Sequence, residues 1–355
     1  MENRQKLKEY IFELCALPSV SGFEARSTKK LKSTVGRYLE FLRSDGVGNH
    51  VFVKRCGRPN APKILVDAHF DEIGFLVREV CEGGFLRIAP LGGVDPAIMQ
   101  AADVIVYGKE ILRGVVVSTP PHLKEADELP KTEDMLIDTG MSAEKARELI
   151  PLGAPVGFAP VYGELMGERI VGKSFDDKAC AACAVWGIAN TPKERLAGDV
   201  YMLFSSVEET NRLGGVSAAT YAIRPDYAMV IDVNLARVPD TKSFETVEMD
   251  KGISISVSAA TDIRLTRATQ KLCEDKKIEH SMIAAPSSTG TNATSLNLTA
   301  CGVPVVDIGL PLASMHTYNE VISMRDCETL ARLVGEFISS EKIAEQMTVG
   351  EVELL

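Results

Sequence analysis

No stretch of this sequence approaches the roughly 18 uninterrupted apolar residues of a membrane-spanning helix. The opening MENRQKLKEYIFELCALPSV also lacks the apolar h-region of a secretory signal. No Lys/Arg-rich run is present, and 49 acidic against 39 basic residues leave a formal net charge of −10. No nucleic-acid partner and no membrane partner are therefore expected, and the expected compartment is the cytoplasm. Cysteine is sparse, at 8 in 355 residues, too thin for a disulfide scaffold. Cys180 and Cys183 sit in the small-residue run Ala179–Ala184 and read as buried thiols on a closely packed helix. No second CxxC completes a four-thiolate zinc site. Tryptophan occurs once, at Trp186, and only five histidines exist: His50, His69, His122, His280 and His316.

What is present is ordinary soluble-protein material, 45% hydrophobic and 25% charged. A chain of 355 residues fits about two domains. A core of that size needs no metal to stay folded, so any metal must be argued from chemistry. Leu7, Ile11 and Leu14 mark an opening amphipathic helix to about Ala16, and a second helix is predicted over about 24–42. An extended stretch follows near 49–54, and the apolar KILVDAH at 63–69 reads as a buried strand. From about 73 to 164 short β-like runs are broken by Gly pairs, reading as hairpins around one short helix, SAEKARELI. Beyond about 168 strands alternate with helices, through IVGKSF, DVYMLFSSV, DYAMVID, ISISVSAA and VPVVDIGL to a closing helix from VISMRDCETL. The pattern predicts an α/β catalytic domain, residues 1–72 plus 165–355, with a mixed or parallel sheet. It is interrupted by an inserted, mostly β domain, residues 73–164.

The candidate site residues fall at the ends of these strands. His69 ends KILVDAH, Asp176 and Asp177 follow IVGKSF, and Glu208 and Glu209 follow DVYMLFSSV. Asp232 ends DYAMVID, and His316 lies a few residues beyond VPVVDIGLP. Taken singly, each has a plainer role as helix cap, turn former or solvated loop. Together, two histidines and three carboxylates at the carboxyl edge of one sheet supply ligands that Zn²⁺, Co²⁺ or Mn²⁺ accept. A bridging carboxylate with one His and one carboxylate per ion makes a two-metal site. The tandem Glu208-Glu209 then divides into a base for the attacking water and a ligand. Asp71, two residues beyond His69, sits where it can orient the imidazole.

The segments AHFDEIGFLV, GKSFDDKA, SSVEETNRLGG, VIDVN, GTNA and MHTYNEVI, in this order, resemble the dinuclear metallo-aminopeptidases of peptidase family M forty-two. That family includes the tetrahedral (TET) and glutamyl aminopeptidases, some members being labelled endoglucanases. LPSVSGFE, GFLRIAPLGGVDP, PPHL and LIDTGMSAEKA extend the likeness over nearly the whole chain. The resemblance implies a mixed-sheet, three-layer metallopeptidase domain of phosphorylase/hydrolase-like type with an inserted PDZ-like β domain used for dimerisation. It implies two divalent metal ions per subunit, Zn or Co or Mn, held by His69, Asp176, Glu209, Asp232 and His316. Asp177 is the reserve for the bridging position. Glu208 becomes the general base and Asp71 its catalytic companion. The substrates implied are peptides with a free N-terminus, and the assembly is a homo-oligomer of dimers up to a tetrahedral dodecamer. Alternative readings keep the metals but act on small acylated amines as an amidase or deacylase, or act as an endoglucanase-type glycosidase.

The chain departs from the family pattern at Lys178 (usually Arg), Cys180 (usually Gly), Asn234 (usually Thr) and Asn292 (usually Asp). Asn292 is expected to line the specificity pocket and, lacking a charge, to favour neutral or acidic N-terminal residues over Lys and Arg.

Overall fold

A computed structural model describes residues 2–117, 121–123, 131–132, 135–210 and 215–348. Residues 211–214 of SSVEETNRLGG and Pro120 of PPHL lie outside them. Among the described residues no helix is long and apolar enough to cross a membrane.

The chain opens with α1 (Glu2–Cys15), whose Leu7, Ile11 and Leu14 are fully buried, and continues into α2 (Thr28–Val35). The predicted second helix is thus far shorter than 24–42. Its first turn is a 3-10 segment, Glu24–Ser27, and it stops at Gly36. The chain then turns into β1 (Glu40–Ser44), paired antiparallel with β2 (His50–Lys54). β3 (Lys63–His69) is buried along nearly its whole length.

Six strands then close a barrel: β4 (Gly74–Val80), β5 (Leu86–Leu91), β6 (Asp103–Tyr107), β7 (Ile111–Val116), β8 (Leu136–Asp138) and β9 (Pro155–Phe158). β4 and β5 form an antiparallel hairpin, and so do β6 and β7. Gly83 and Gly84 turn the first at φ 75° and 87°, which side chains resist. Inside the barrel Phe75, Ile88, Val104, Val106, Ile137 and Val156 form a core of their own. α3 (Ala143–Leu149), capped by the Ser142 hydroxyl, lies against it.

The chain returns through β10 (Tyr162–Leu165) and β11 (Arg169–Gly172) into α4 (Phe175–Asn190). There follow β12 (Asp199–Ser205), α5 (Gly215–Ile223), β13 (Tyr227–Leu235), β14 (Ile253–Ser258), α6 (Ile263–Lys276) and β15 (His280–Ala285). α7 (Ala293–Leu296), β16 (Val305–Ala313), β17 (Glu320–Ser323), α8 (Met324–Phe337) and α9 (Glu341–Thr348) complete the described residues. The predicted closing helix therefore begins late, because Glu320–Ser323 pairs with β16 and β11 instead.

Among the described residues eleven strands make one mixed sheet, with the order β1-β2-β12-β3-β13-β16-β17-β11-β10 and β14-β15 branching from β16. β12, β3, β13 and β16 are mutually parallel, so their carboxyl ends share an edge. β11 runs antiparallel to β17, which runs antiparallel to β16, so β11 ends at that edge too. These central strands are apolar on both faces, as strands covered on both sides must be. Met229 and Ile231 pack with α1, α4 and α8, while Ala228 and Val230 face Val216 of α5 and Leu296 of α7. In α4 the run Ala179–Ala184 is fully buried, including both thiols.

Candidate active site

The shared strand edge carries the titratable groups. His69 is the last residue of β3, Glu208 and Glu209 follow β12, Asp232 lies on β13, and His316 follows β16. Asp176 and Asp177 open α4 with non-helical backbone and a cis peptide between them. His69, Asp176, Glu208, Glu209, Asp232 and His316 all line one cleft of about 460 Å³. Three loops reach it through left-handed backbone at residues with side chains: Ser174 (φ 57°), Val207 (φ 53°) and His316 (φ 60°). For β-branched Val207 that conformation is a true outlier, of the kind held only where surrounding structure dictates it. Its N–H is fixed by the Glu24 carboxylate at 3.1 Å.

Asp176 sits between the two imidazoles, with Oδ1 3.0 Å from His69 Nε2 and Oδ2 3.5 Å from His316 Nε2. Glu209 Oε2 lies 3.4 Å from His316 Nε2, and Asp232 Oδ1 lies 3.9 Å from His69 Nε2. Two overlapping donor sets result, His69–Asp176–Glu209 and His69–Asp177–Asp232, each with its atoms within 4.8 Å of one another. His69 Nδ1 is 3.0 Å from the Asp71 carbonyl, and His316 Nδ1 is 3.1 Å from the Gly93 carbonyl. A carbonyl only accepts, so in the neutral rings both Nδ1 atoms carry the proton and both Nε2 lone pairs face the cleft. Gly93 comes from the barrel, and a Cβ there would meet His316 Nδ1 at 2.6 Å.

The supporting residues are buried carboxylates. Asp71 lies 3.6 Å from His69 Nδ1 through Oδ1, but its main partners are the N–H groups of Glu208 and Glu209, at 3.0 and 3.1 Å. It therefore holds the Glu pair in place and orients His69 chiefly through its backbone carbonyl. Asp177 accepts the His69 N–H at 3.1 Å and keeps Oδ1 buried with no partner among the described residues. Glu320, not singled out in the sequence, accepts from Phe175 N at 2.7 Å, Asp176 N at 3.2 Å and His316 N at 3.3 Å. One carboxylate thereby ties the Asp176 and His316 segments together.

Charge in the cleft is unbalanced. Burial and neighbouring carboxylates hold Glu209, Asp232, Glu320 and Asp177 well above their ordinary pKa. Burial opposes charge on His69, but hydrogen bonds to Asp176 and Asp71 outweigh it and raise the ring's pKa. Burial would likewise lift Asp176, yet the imidazoles of His316 and His69 pull it down. Crowded acids, two imidazole lone pairs and an orphaned carboxylate oxygen fit divalent cations as the missing positive charge.

Asn292 does not line the cleft as its sequence position predicts. Its side chain is turned beneath the sheet edge and donates to Asp67 Oδ2 at 3.0 Å and Ser205 Oγ at 2.9 Å. It lies outside the cleft lining, because it starts α7, whose apolar residues pack down against the sheet. Of the other histidines, His50 is buried against Ser44, His280 lies on edge strand β15, and His122 is exposed near the barrel. Lys178 is fully buried and bonded to Glu72 at 2.9 Å and to the Leu17 carbonyl at 2.7 Å.

The chain is similar to known proteins over most of its length. The family model for M42 glutamyl aminopeptidase matches residues 48–333. A lysyl aminopeptidase of Pyrococcus furiosus is 27% identical over 342 residues, covering 94% of this chain and 97% of that protein. The solved aminopeptidase of the archaeon Desulfurococcus kamchatkensis superposes with a TM-score of 0.89 at 27% identity, covering 99% of both chains. The TET1 peptidase of Pyrococcus horikoshii, described as able to assemble into a tetrahedron or a large octahedral shell, gives 0.82 at 26% identity over 93% of this chain and 98% of that one. A family match spanning most of the chain places this protein in the M42 glutamyl aminopeptidase family.

Proposed function

We propose that this protein is a metal-dependent aminopeptidase whose cleft holds two divalent ions. The observation that carries this is Asp176, whose two oxygens face the Nε2 atoms of His69 and His316. That placement supports Asp176 as the bridging ligand, with His69 and Asp232 on one side and His316 and Glu209 on the other. Asp177, bound to the His69 backbone, is better placed to support than to bridge. Bound there, the ions supply Lewis acidity that polarises the scissile carbonyl and eases deprotonation of water.

The chain's own residues do the rest. Glu208 lines the cleft with its backbone N–H fixed by Asp71, so its carboxylate is delivered to one place. It takes the proton of the attacking water and hands it to the leaving amine. Asp71 keeps Glu208 and Glu209 in register, and Asp71 and Gly93 fix the ring orientations of His69 and His316. The carboxylates of Asp176 and Asp232 in the cleft lining suit a substrate with a free N-terminal ammonium.

The barrel is read as the inserted, PDZ-like domain of residues 73–164, with a role in self-association. Support comes from the outward face of β7 and the residue after it, where Ile111, Val115 and Val117 are exposed to 71%, 42% and 41% on either side of Arg113. Assembly beyond a dimer, as described for the Pyrococcus horikoshii relative, is part of the same reading.

The test is a panel of aminoacyl-p-nitroanilides and acyl-amines, run after chelation and after return of Zn²⁺, Co²⁺ or Mn²⁺. Metal-restored cleavage of the aminoacyl compounds alone is the expected outcome. Cleavage restricted to acyl-amines would favour a deacylase, and full activity after exhaustive chelation would refute the metal reading.

A further inference from the structure

The same cleft contains an acid that the proposed chemistry does not use. Asp307 lines it from β16, inside the apolar run VPVVDIGL. Strand register fixes its place. Val230 of β13 pairs with Asp307, and Asp232 pairs with Gly309. Side chains two residues apart on a strand share a face, so Asp307 lies one pleat behind the Asp232 row, about 7 Å along the strand. Gly309, beside Asp232 in that row, must stay without a side chain, because Ser254 and Asn234 already fill the space over it. A Cβ there would stand 2.4 Å from Ser254 Oγ and 2.9 Å from Asn234 Cβ.

Asp307 is only 3% exposed, and among the described residues its carboxylate is met by hydroxyls, with no cation beside it. Thr291 Oγ1 donates to Oδ1 at 2.7 Å. Burial raises its pKa to about 6, and the hydroxyls of Ser256 and Thr291 are the groups that oppose this. A buried carboxylate without a cation is costly unless a ligand provides one. Asp67, on the same face of β3, differs in being covered by Asn292 and Ser205 and in lying outside the cleft lining.

We propose that Asp307 is the specificity-determining residue of the cleft, and that the preferred substrate is a peptide with a cationic N-terminal side chain, lysine or arginine. The distance of one pleat from the Asp232 row lies within reach of lysine's four-carbon stem. The inference rests on the aminopeptidase reading above and reverses the preference that Asn292 suggested in the sequence. The charge that matters is carried by position 307, not removed at position 292.

The experiment compares kcat/KM for Lys-, norleucine- and Glu-p-nitroanilides on the metal-loaded wild type and on Asp307→Asn. Norleucine keeps lysine's stem and lacks its charge. The wild type is expected to favour Lys over norleucine by at least about tenfold, and Asn is expected to remove most of that ratio. A role for Asp307 in folding alone would lower all substrates together and leave the ratio flat. A flat ratio, or a wild type that prefers Glu, overturns the proposal while leaving the aminopeptidase intact. No cleavage of any aminoacyl anilide overturns both readings. Asp307→Ser and competition by free L-lysine against L-norleucine on the wild type read the same pocket if the Asn variant folds poorly. Equal inhibition by the two amino acids also overturns it.

Discussion

Glu72 joins the two ends of the barrel, and replacing it by Gln should be among the most costly substitutions in the protein. It stands where the chain leaves β3 for the barrel, while Lys173 and Lys178 stand where the chain comes back into α4. All three are buried, at 2%, 1% and 0% exposure. Glu72 Oε2 accepts from Lys173, Ser174 and Lys178, and Oε1 accepts the Ser19 N–H at 3.1 Å. Burial alone would lift the Glu72 pKa, but the two ammoniums and the Ser174 hydroxyl outweigh it and bring it from 4.5 to about 2. That difference corresponds to about 3 kcal/mol of favourable interaction, within the roughly 3–5 kcal/mol seen when one partner of a buried ion pair is removed. The folded-state pKa is depressed, so this stabilisation is present above the ordinary value and is lost as pH falls toward about 2. For a chain of this length about 3 kcal/mol lowers Tm by about 4 °C. Thermal unfolding followed by circular dichroism of Glu72→Gln at neutral pH is the assay, with Glu72→Gln/Lys178→Met expected to recover part of the loss. A single variant within about 1 °C of wild type would refute the reasoning, since it would mean that the buried lysines do not need the carboxylate.

Other outcomes follow from the site. Glu208→Gln should retain metal and lose at least about a hundredfold in kcat, whereas Glu209→Gln should lose metal affinity as well; calorimetric titration showing the reverse pattern would exchange their roles. Glu320→Ala frees three backbone N–H groups behind Asp176 and His316, and should weaken Co²⁺ or Zn²⁺ binding by about 10–100-fold, with Glu320→Gln intermediate; unchanged affinity by titration would reduce Glu320 to a packing role. The pair Ile111→Glu and Val115→Lys, on the exposed stripe of β7, should give a smaller species by light scattering, and an unchanged mass would move the interface elsewhere.

Much of this architecture was legible in the chain. KILVDAH, DVYMLFSSV, DYAMVID and VPVVDIGL announce buried strands by continuous apolar runs, because strands covered on both faces have no polar side to alternate. His69, Glu208, Asp232 and His316 could be placed at one edge because a parallel sheet puts the ends of its strands together. Helix limits were less legible. The segment after α2 turns into β1, and Glu320–Ser323 joins the sheet, because strand pairing, with β2 in the first case and with β16 and distant β11 in the second, overrode local helical pattern.

What only the tertiary structure decided is which polar groups face one another. Asp67 and Asp307 interrupt apolar runs in the same way, and a buried acid in such a run is itself a signal. The sequence does not tell that one is covered by Asn292 while the other lines the cleft. Glu320 and the Glu72–Lys173–Lys178 cluster look like surface charges until β17 and α4 fold over them. Hydrophobic periodicity is a local property of the chain, written every two or four residues. The partners of a buried charge come from segments up to 225 residues apart, as for Asn292 and Asp67, and only the packing of the sheet against its helices brings them into contact.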